Sequence, residues 1–69
     1  MTVMHYEIRV DGRLSDVAKE AFPGMRITEE PPQTVLDGDV LDESQLHGII
    51  AQLQTLGITL VSVHPVQAG

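Results

Sequence analysis

The chain has no cysteine and no tryptophan, and only one tyrosine and one phenylalanine among its 69 residues. Without cysteine, neither a disulfide framework nor a thiolate metal site is available to staple so small a domain. With so few aromatic rings there is little to line an aromatic ligand cavity. Cations are equally sparse. Four Lys and Arg face ten Asp and Glu, a formal net charge of −6, and Arg9, Arg13, Lys19 and Arg26 are scattered among the acids. Phosphate backbones need clustered cations, so nucleic acid and anionic membrane surfaces are not expected partners. No apolar run approaches the roughly 20 residues needed to cross a bilayer. The opening MTVMHYEIRV lacks the basic start, long apolar core and cleavage site of a signal peptide. The expectation is a cytoplasmic protein with no membrane association.

What is present is enough for one domain over residues 1–69, with 42% of them hydrophobic. A domain of this size buries only about 60% of the surface its unfolded chain exposes. Disulfides and thiolate metal sites being excluded, oligomerisation is the remaining common source of added stability. A homo-oligomer, dimer or higher, is therefore expected, and no cofactor is.

Along the chain, Met4, Tyr6, Ile8 and Val10 alternate with Val3, His5, Glu7 and Arg9, the mark of a half-buried strand. DGR at Asp11–Arg13 breaks it. Ser15 can cap a short helix that turns Ala18, Ala21 and Phe22 inward and stops at Pro23-Gly24. MRITEE reads as a second strand, with Pro31-Pro32 marking the connection beside an edge strand. QTVLDGDVL reads as a third, less clean and interrupted by Asp37-Gly38-Asp39, a triplet that could instead be a bulge or a turn.

The second helix is written most clearly. Asp42 is its N-cap, Gln45 completes a capping box, and Leu41 can staple onto Leu46. Leu46, Ile49, Ile50, Leu53 and Leu56 form one stripe. Gly57 suits the left-handed position after the helix, with Ile58 folding back on Leu53. ITLVSVHPV is the last strand, ended by Pro65.

The order β-α-β-β-α-β is the ferredoxin-like split βαβ arrangement, an α+β fold. Right-handed crossovers put strands one and three in the centre of a four-stranded antiparallel sheet, between strands four and two, with both helices on one face. The core would hold Tyr6, Ile8, Val10, Ile27, Leu36, Leu46, Ile50, Leu53, Val61 and Val63.

That topology makes the first and last strands neighbours. Setting Tyr6 opposite Val63 and Ile8 opposite Val61 puts apolar with apolar. Glu7 then opposes Ser62, and His5 opposes His64, on the open side. Cross-strand Cβ atoms about 4.5–5.5 Å apart would let two imidazoles share an ion, with Glu7 one step away. His5, Glu7 and His64 are thus the candidate metal ligands. The alternative is that they are solvated or paired across an interface. The open face also carries Arg9 and Arg26, with either Asp37 and Asp39 or Val35 and Leu36; a bare face with Val3, Leu60 and Val35 among charges is where partners dock.

Nucleophilic catalysis finds little support. Ser15, Ser44 and Ser62 lie in cap or strand contexts, and Ser44 with His47 has no third group to orient the imidazole. No catalytic residue is expected. His47 and Gly48 are the part of the second helix that capping and stripe leave unexplained. A helical glycine costs up to ~1 kcal/mol against alanine, so a second backbone packing over Gly48, with His47 at its rim, is the expectation. The interface candidates are then His47, Gly48, Arg9 and Leu60. At DGRLSD a glycine turn offers N–H groups to an anion, yet Asp11 and Asp16 flank it and would repel one.

VDGRLSDVA is similar to the strand-turn-helix of ACT-type ferredoxin-like modules, and QLQTLGITLVSV is similar to their closing helix and strand. The resemblance implies a module that binds amino acids or other small effectors between copies, with Gly12, Arg13 and Leu14 as the effector-facing turn. The chain also resembles the dimeric α/β-barrel proteins, which include small monooxygenases and cyclases. The functional expectation is a small, non-catalytic binding or assembly module that self-associates and takes a small effector or protein partner. Two alternatives stay open. One is a small enzyme of the dimeric α/β-barrel kind acting on an apolar molecule, with Tyr6, His5 or His47 as acid or base. The other is a histidine-based metal-binding protein.

Overall fold

The structure, a computed structural model, describes residues 3–66. The elements follow the expected order: β1 Met4–Asp11, α1 Asp16–Glu20, β2 Arg26–Glu30, β3 Gln33–Val40, α2 Glu43–Thr55 and β4 Leu60–Val66. The four strands form one sheet in the order β2-β3-β1-β4, and every neighbouring pair is antiparallel. This is the ferredoxin-like α+β arrangement.

Side chains alternate across the sheet, so each strand presents one set of residues to the helices and one to the open face. Ile8 and Val10 of β1 and Leu36 of β3 join Ala18 and Phe22 on the α1 side and Leu53 of α2 in one buried cluster. Both helices therefore cover the same face. Leu14 completes the cluster at 5% exposure, closing the gap between the end of β1 and the start of α1.

Both helices start where their caps dictate. The Ser15 hydroxyl accepts from the Ala18 N–H at 3.1 Å. The Asp42 carboxylate accepts from the Gln45 N–H at 2.9 Å. Gln45 reaches back as a capping box requires, but its side chain accepts from the Leu41 N–H at 2.8 Å, one residue before the cap. Leu41 stays 62% exposed, so the staple onto Leu46 buries little. At the other end Gly57 has φ +75°. The Ile58 N–H donates to Leu53 O and the Gly57 N–H to Gln54 O, the two bonds of a Schellman close.

Four sequence expectations are corrected. The Asp37-Gly38-Asp39 triplet is neither bulge nor turn, since β3 pairs without interruption with β1 and β2. Gly38 is tightly packed: an added Cβ would stand 3.1 Å from Met25 Cγ and 3.2 Å from Met25 Cα, so Met25 would have to give by a few tenths of an ångström. Next, β4 is shifted by two residues against β1 from the expected register: Ile8 faces Val63 and Glu7 faces His64. Then the register slips between Arg9 and Val10, leaving Val61 as an extra residue. Val61 is consequently 47% exposed and outside the core. Leu60 takes the inward position and packs against the cluster. Tyr6, expected in the core, faces Gly38 and Pro65 and is only half-buried.

Candidate functional site

The open face of the sheet can be read in rows from the register. Asp39, His5 and Val66 form one row; Arg26, Asp37, Glu7 and His64 the next; Thr28, Val35, Arg9 and Ser62 the third. Glu30, Gln33 and Asp11 close it. Two arginines thus stand among five carboxylates. Arg9 Nη2 donates to Glu7 at 3.3 Å, and its other terminal nitrogen lies 3.7 Å from Glu30. Val35 between them is only 2% exposed although no helix covers this side. The aliphatic stem of Arg9, directly across the ladder, suits that cover.

His5 sits between two aspartates. Its Nδ1 is 3.0 Å from Asp39 Oδ1, and its Nε2 is 3.7 Å from Asp37 Oδ1. With the proton on Nδ1, the ring donates to Asp39. Of the expected metal ligands, Glu7 and His64 are opposed, whereas His5 faces Val66 on that side, so the direct His5–His64 pairing is not formed. Among the described residues there is no group of three or more His, Cys, Asp or Glu side chains arranged to hold a metal ion. The physical reason is the two-residue register shift, which carries His64 along the face from His5 to Glu7.

A second feature lies at the end of the sheet where β1 stops and β4 starts. There an open cleft of about 370 Å³ is lined by Asp11, Gly12, Arg13 and Ser15 on one wall and Leu56 to Thr59 on the other. The turn at its mouth is held from three directions. The Asp11 N–H donates to Thr59 O at 2.9 Å, and the Gly12 N–H to Pro32 O at 2.8 Å. The buried Thr34 hydroxyl donates to Gly12 O at 2.6 Å. Gly12 itself has φ +81°, a conformation that L side chains rarely adopt.

The three residues of the effector-facing turn separate here. Gly12 and Arg13 stand at the cleft. Leu14 lines it too, but at 5% exposure its side chain also belongs to the core cluster. Arg13 is not a free cation: its Nε donates to Glu29 Oε2 at 2.8 Å. That hydrogen bond, then the guanidinium charge and that of Lys19, holds the Glu29 carboxyl below the usual carboxylate range.

Among the interface candidates, Arg9 lies on the open face and Leu60 on the core side. His47 and Gly48 are exposed on α2. A Cβ added at Gly48 meets nothing within 4 Å, so among the described residues no backbone packs over it, and nothing in the structure explains this glycine. A smaller cleft of about 310 Å³ lies between Pro23–Met25, Asp39, Gln45 and Ile49. Neither cleft is lined by a histidine.

Two features escape a reading of the sequence. The second wall of the larger cleft, Leu56–Thr59, follows from topology: neighbouring antiparallel strands bring the turn after β1 beside the turn before β4. The Asp37–His5–Asp39 cluster needs the β1–β3 register, which alternation by itself leaves open.

The chain belongs to the family described as domain of unknown function DUF8691, whose model matches residues 5–64. The match spans all of the elements laid out above save the outermost residues of β1 and β4. No curated protein matches the chain, and no solved structure does. Among the described residues no helix is long and apolar enough to cross a membrane.

Proposed function

We propose that the chain is a small non-catalytic binding and assembly module that associates with further copies of itself. The observation that carries this reading is its one-sided packing. A sheet of four strands is covered by helices on one face only, and among the described residues seven apolar side chains form the buried cluster beneath them. Such a core yields little stability beyond the entropy of ordering the chain, and burial against a second copy adds to it. The chemistry of the polar groups agrees. His5 and His64 stand on the open face and His47 on the outside of α2, so neither cleft holds an imidazole for acid–base work. Light scattering on the intact chain tests the reading: a dimer or larger assembly is expected, and a clean monomer at every concentration would overturn it.

A second reading concerns a small effector, favoured by the cleft at Gly12 and Arg13. Its volume is of ligand size, since such sites start at about 300 Å³. The backbone bonds on both sides of Gly12 hold its shape before any ligand arrives. The resemblance to ACT-type modules points to free amino acids as the first class to try. Adding a panel of them should shift the Gly12, Ser15 and Gly57 amide signals in NMR spectra, and unmoved signals would end this reading.

A further inference from the structure

The two edges of the sheet are guarded differently. β2 carries Arg26, Glu29 and Glu30 within five residues and leads into Pro31-Pro32, which cannot donate to a ladder. Charges and prolines of this kind keep an edge strand from pairing with another chain. β4, on the opposite edge, reads LVSVHPV: it carries no Asp, Glu, Lys or Arg, and its own irregularities, the bulge at Val61 and Pro65, leave Ser62 to His64 regular between them. Val61 and Val66 on it are 47% and 40% exposed.

Charge narrows the choice further. Two copies of a chain at −6 repel unless they meet through neutral surface. Stacking the open faces would bring Glu7, Asp11, Glu30, Asp37 and Asp39 of each copy against the same set of the other, with only Arg9 and Arg26 to compensate. The edge of β4 meets its own copy without a formal charge on either side.

We propose that β4 is the seam between two copies, joined antiparallel about a two-fold axis at Val63. This rests on the self-association proposed above and names its surface. The register follows from the two irregularities of the strand. Val61 is displaced by the bulge, and Pro65 has no N–H to give. An axis at Val63 sets Val61 of one copy opposite Pro65 of the other, so both irregularities share a rung. Ser62, Val63 and His64 between them stay regular, and Ser62 opposes His64 of the other copy. A two-fold axis normal to the sheet keeps the helices of both copies on one side. A seven-residue strand is about 23 Å long, so the contact is modest and the dimer depends on concentration.

The experiment compares the intact chain with variants at both edges. Val61→Lys places a charge at an exposed position of the seam and should raise the dimer dissociation constant at least about tenfold, with an unchanged circular dichroism spectrum. Thr28→Lys, in the middle of β2, should leave it as in the parent chain. Because the chain has no cysteine, Val63→Cys introduces a single thiol at the axis, and oxidation should give a disulfide-linked dimer where Thr28→Cys gives none. If Val61→Lys does not fold, the two cysteine variants decide. A parent dimer that survives Val61→Lys, or that crosslinks through Thr28→Cys and not Val63→Cys, would overturn the seam and leave self-association standing. A parent chain that stays monomeric overturns both.

Discussion

Gly38 and Gly48 both interrupt elements that other residues would stabilise better, and they differ in what lies over them. Met25 crowds the one and open space surrounds the other. Gly38→Ala should therefore cost about 1–3 kcal/mol through overpacking. Gly48→Ala should raise stability by up to ~1 kcal/mol. Urea denaturation of the two variants checks both signs, and a Gly48→Ala chain that loses assembly would show a partner over that position. Thr34 is the buried polar residue of the core, at 0% exposure. Its hydroxyl ties the Gly12 turn to β3, so Thr34→Val should cost about 1 kcal/mol and broaden the Gly12 amide signal. At Glu29 the depressed carboxyl contributes stability that is present above its ordinary pKa and lost as pH falls through the lowered one. Arg13→Ala should move the Glu29 midpoint up toward the ordinary range in an NMR titration; an unmoved midpoint would deny the pair that role.

At the scale of the element, α2 shows a sequence that names its own ends. Asp42→Ala should cost about 1 kcal/mol, and Gly57→Ala, at a positive φ, about 1 kcal/mol or more. Thermal unfolding would show both as lower midpoints. The start and the close of this helix were legible, because each rests on residues within one turn of one another; of the stripe, Leu46, Ile49 and Leu53 reach the core while Leu56 stays 38% exposed. β4 was legible as a strand and as a neighbour of β1, but its register was not. A shift by two keeps every side chain on its face, so Val63 faces the core in either register and alternation cannot choose. The bulge at Val61 depends on how β4 leaves the Gly57 turn, which no pattern in LVSVHPV records. Leu14 shows a different limit. The ACT resemblance made it effector-facing, and it does line the cleft, but its place in the core cluster was not legible from the motif.

For the whole molecule, the strand order, the antiparallel pairing and the placement of both helices on one face were legible, since one topology accommodates all the apolar clusters. Which polar groups meet on the open face was only partly so, because it needs both ladders of β1 in register at once. A core this small makes single truncations severe: Leu53→Ala, at a fully buried position, should cost about 2–5 kcal/mol. Much of a marginal total would be gone. If copies associate, the melting temperature of the parent chain should climb with protein concentration, and a constant value over a wide range would count against assembly.

The central place of β1 has a consequence for the order of events in synthesis. β1 precedes both of its partners, since its two ladders join it to β3 and to β4, and Val66 of the last strand lies opposite His5. No hairpin of β1 with its immediate successor exists to hold it. During synthesis both edges of β1 stay open until β3 has appeared, and one of them until β4 has. Folding here should then be late, slow for so short a chain, and all but complete in one step.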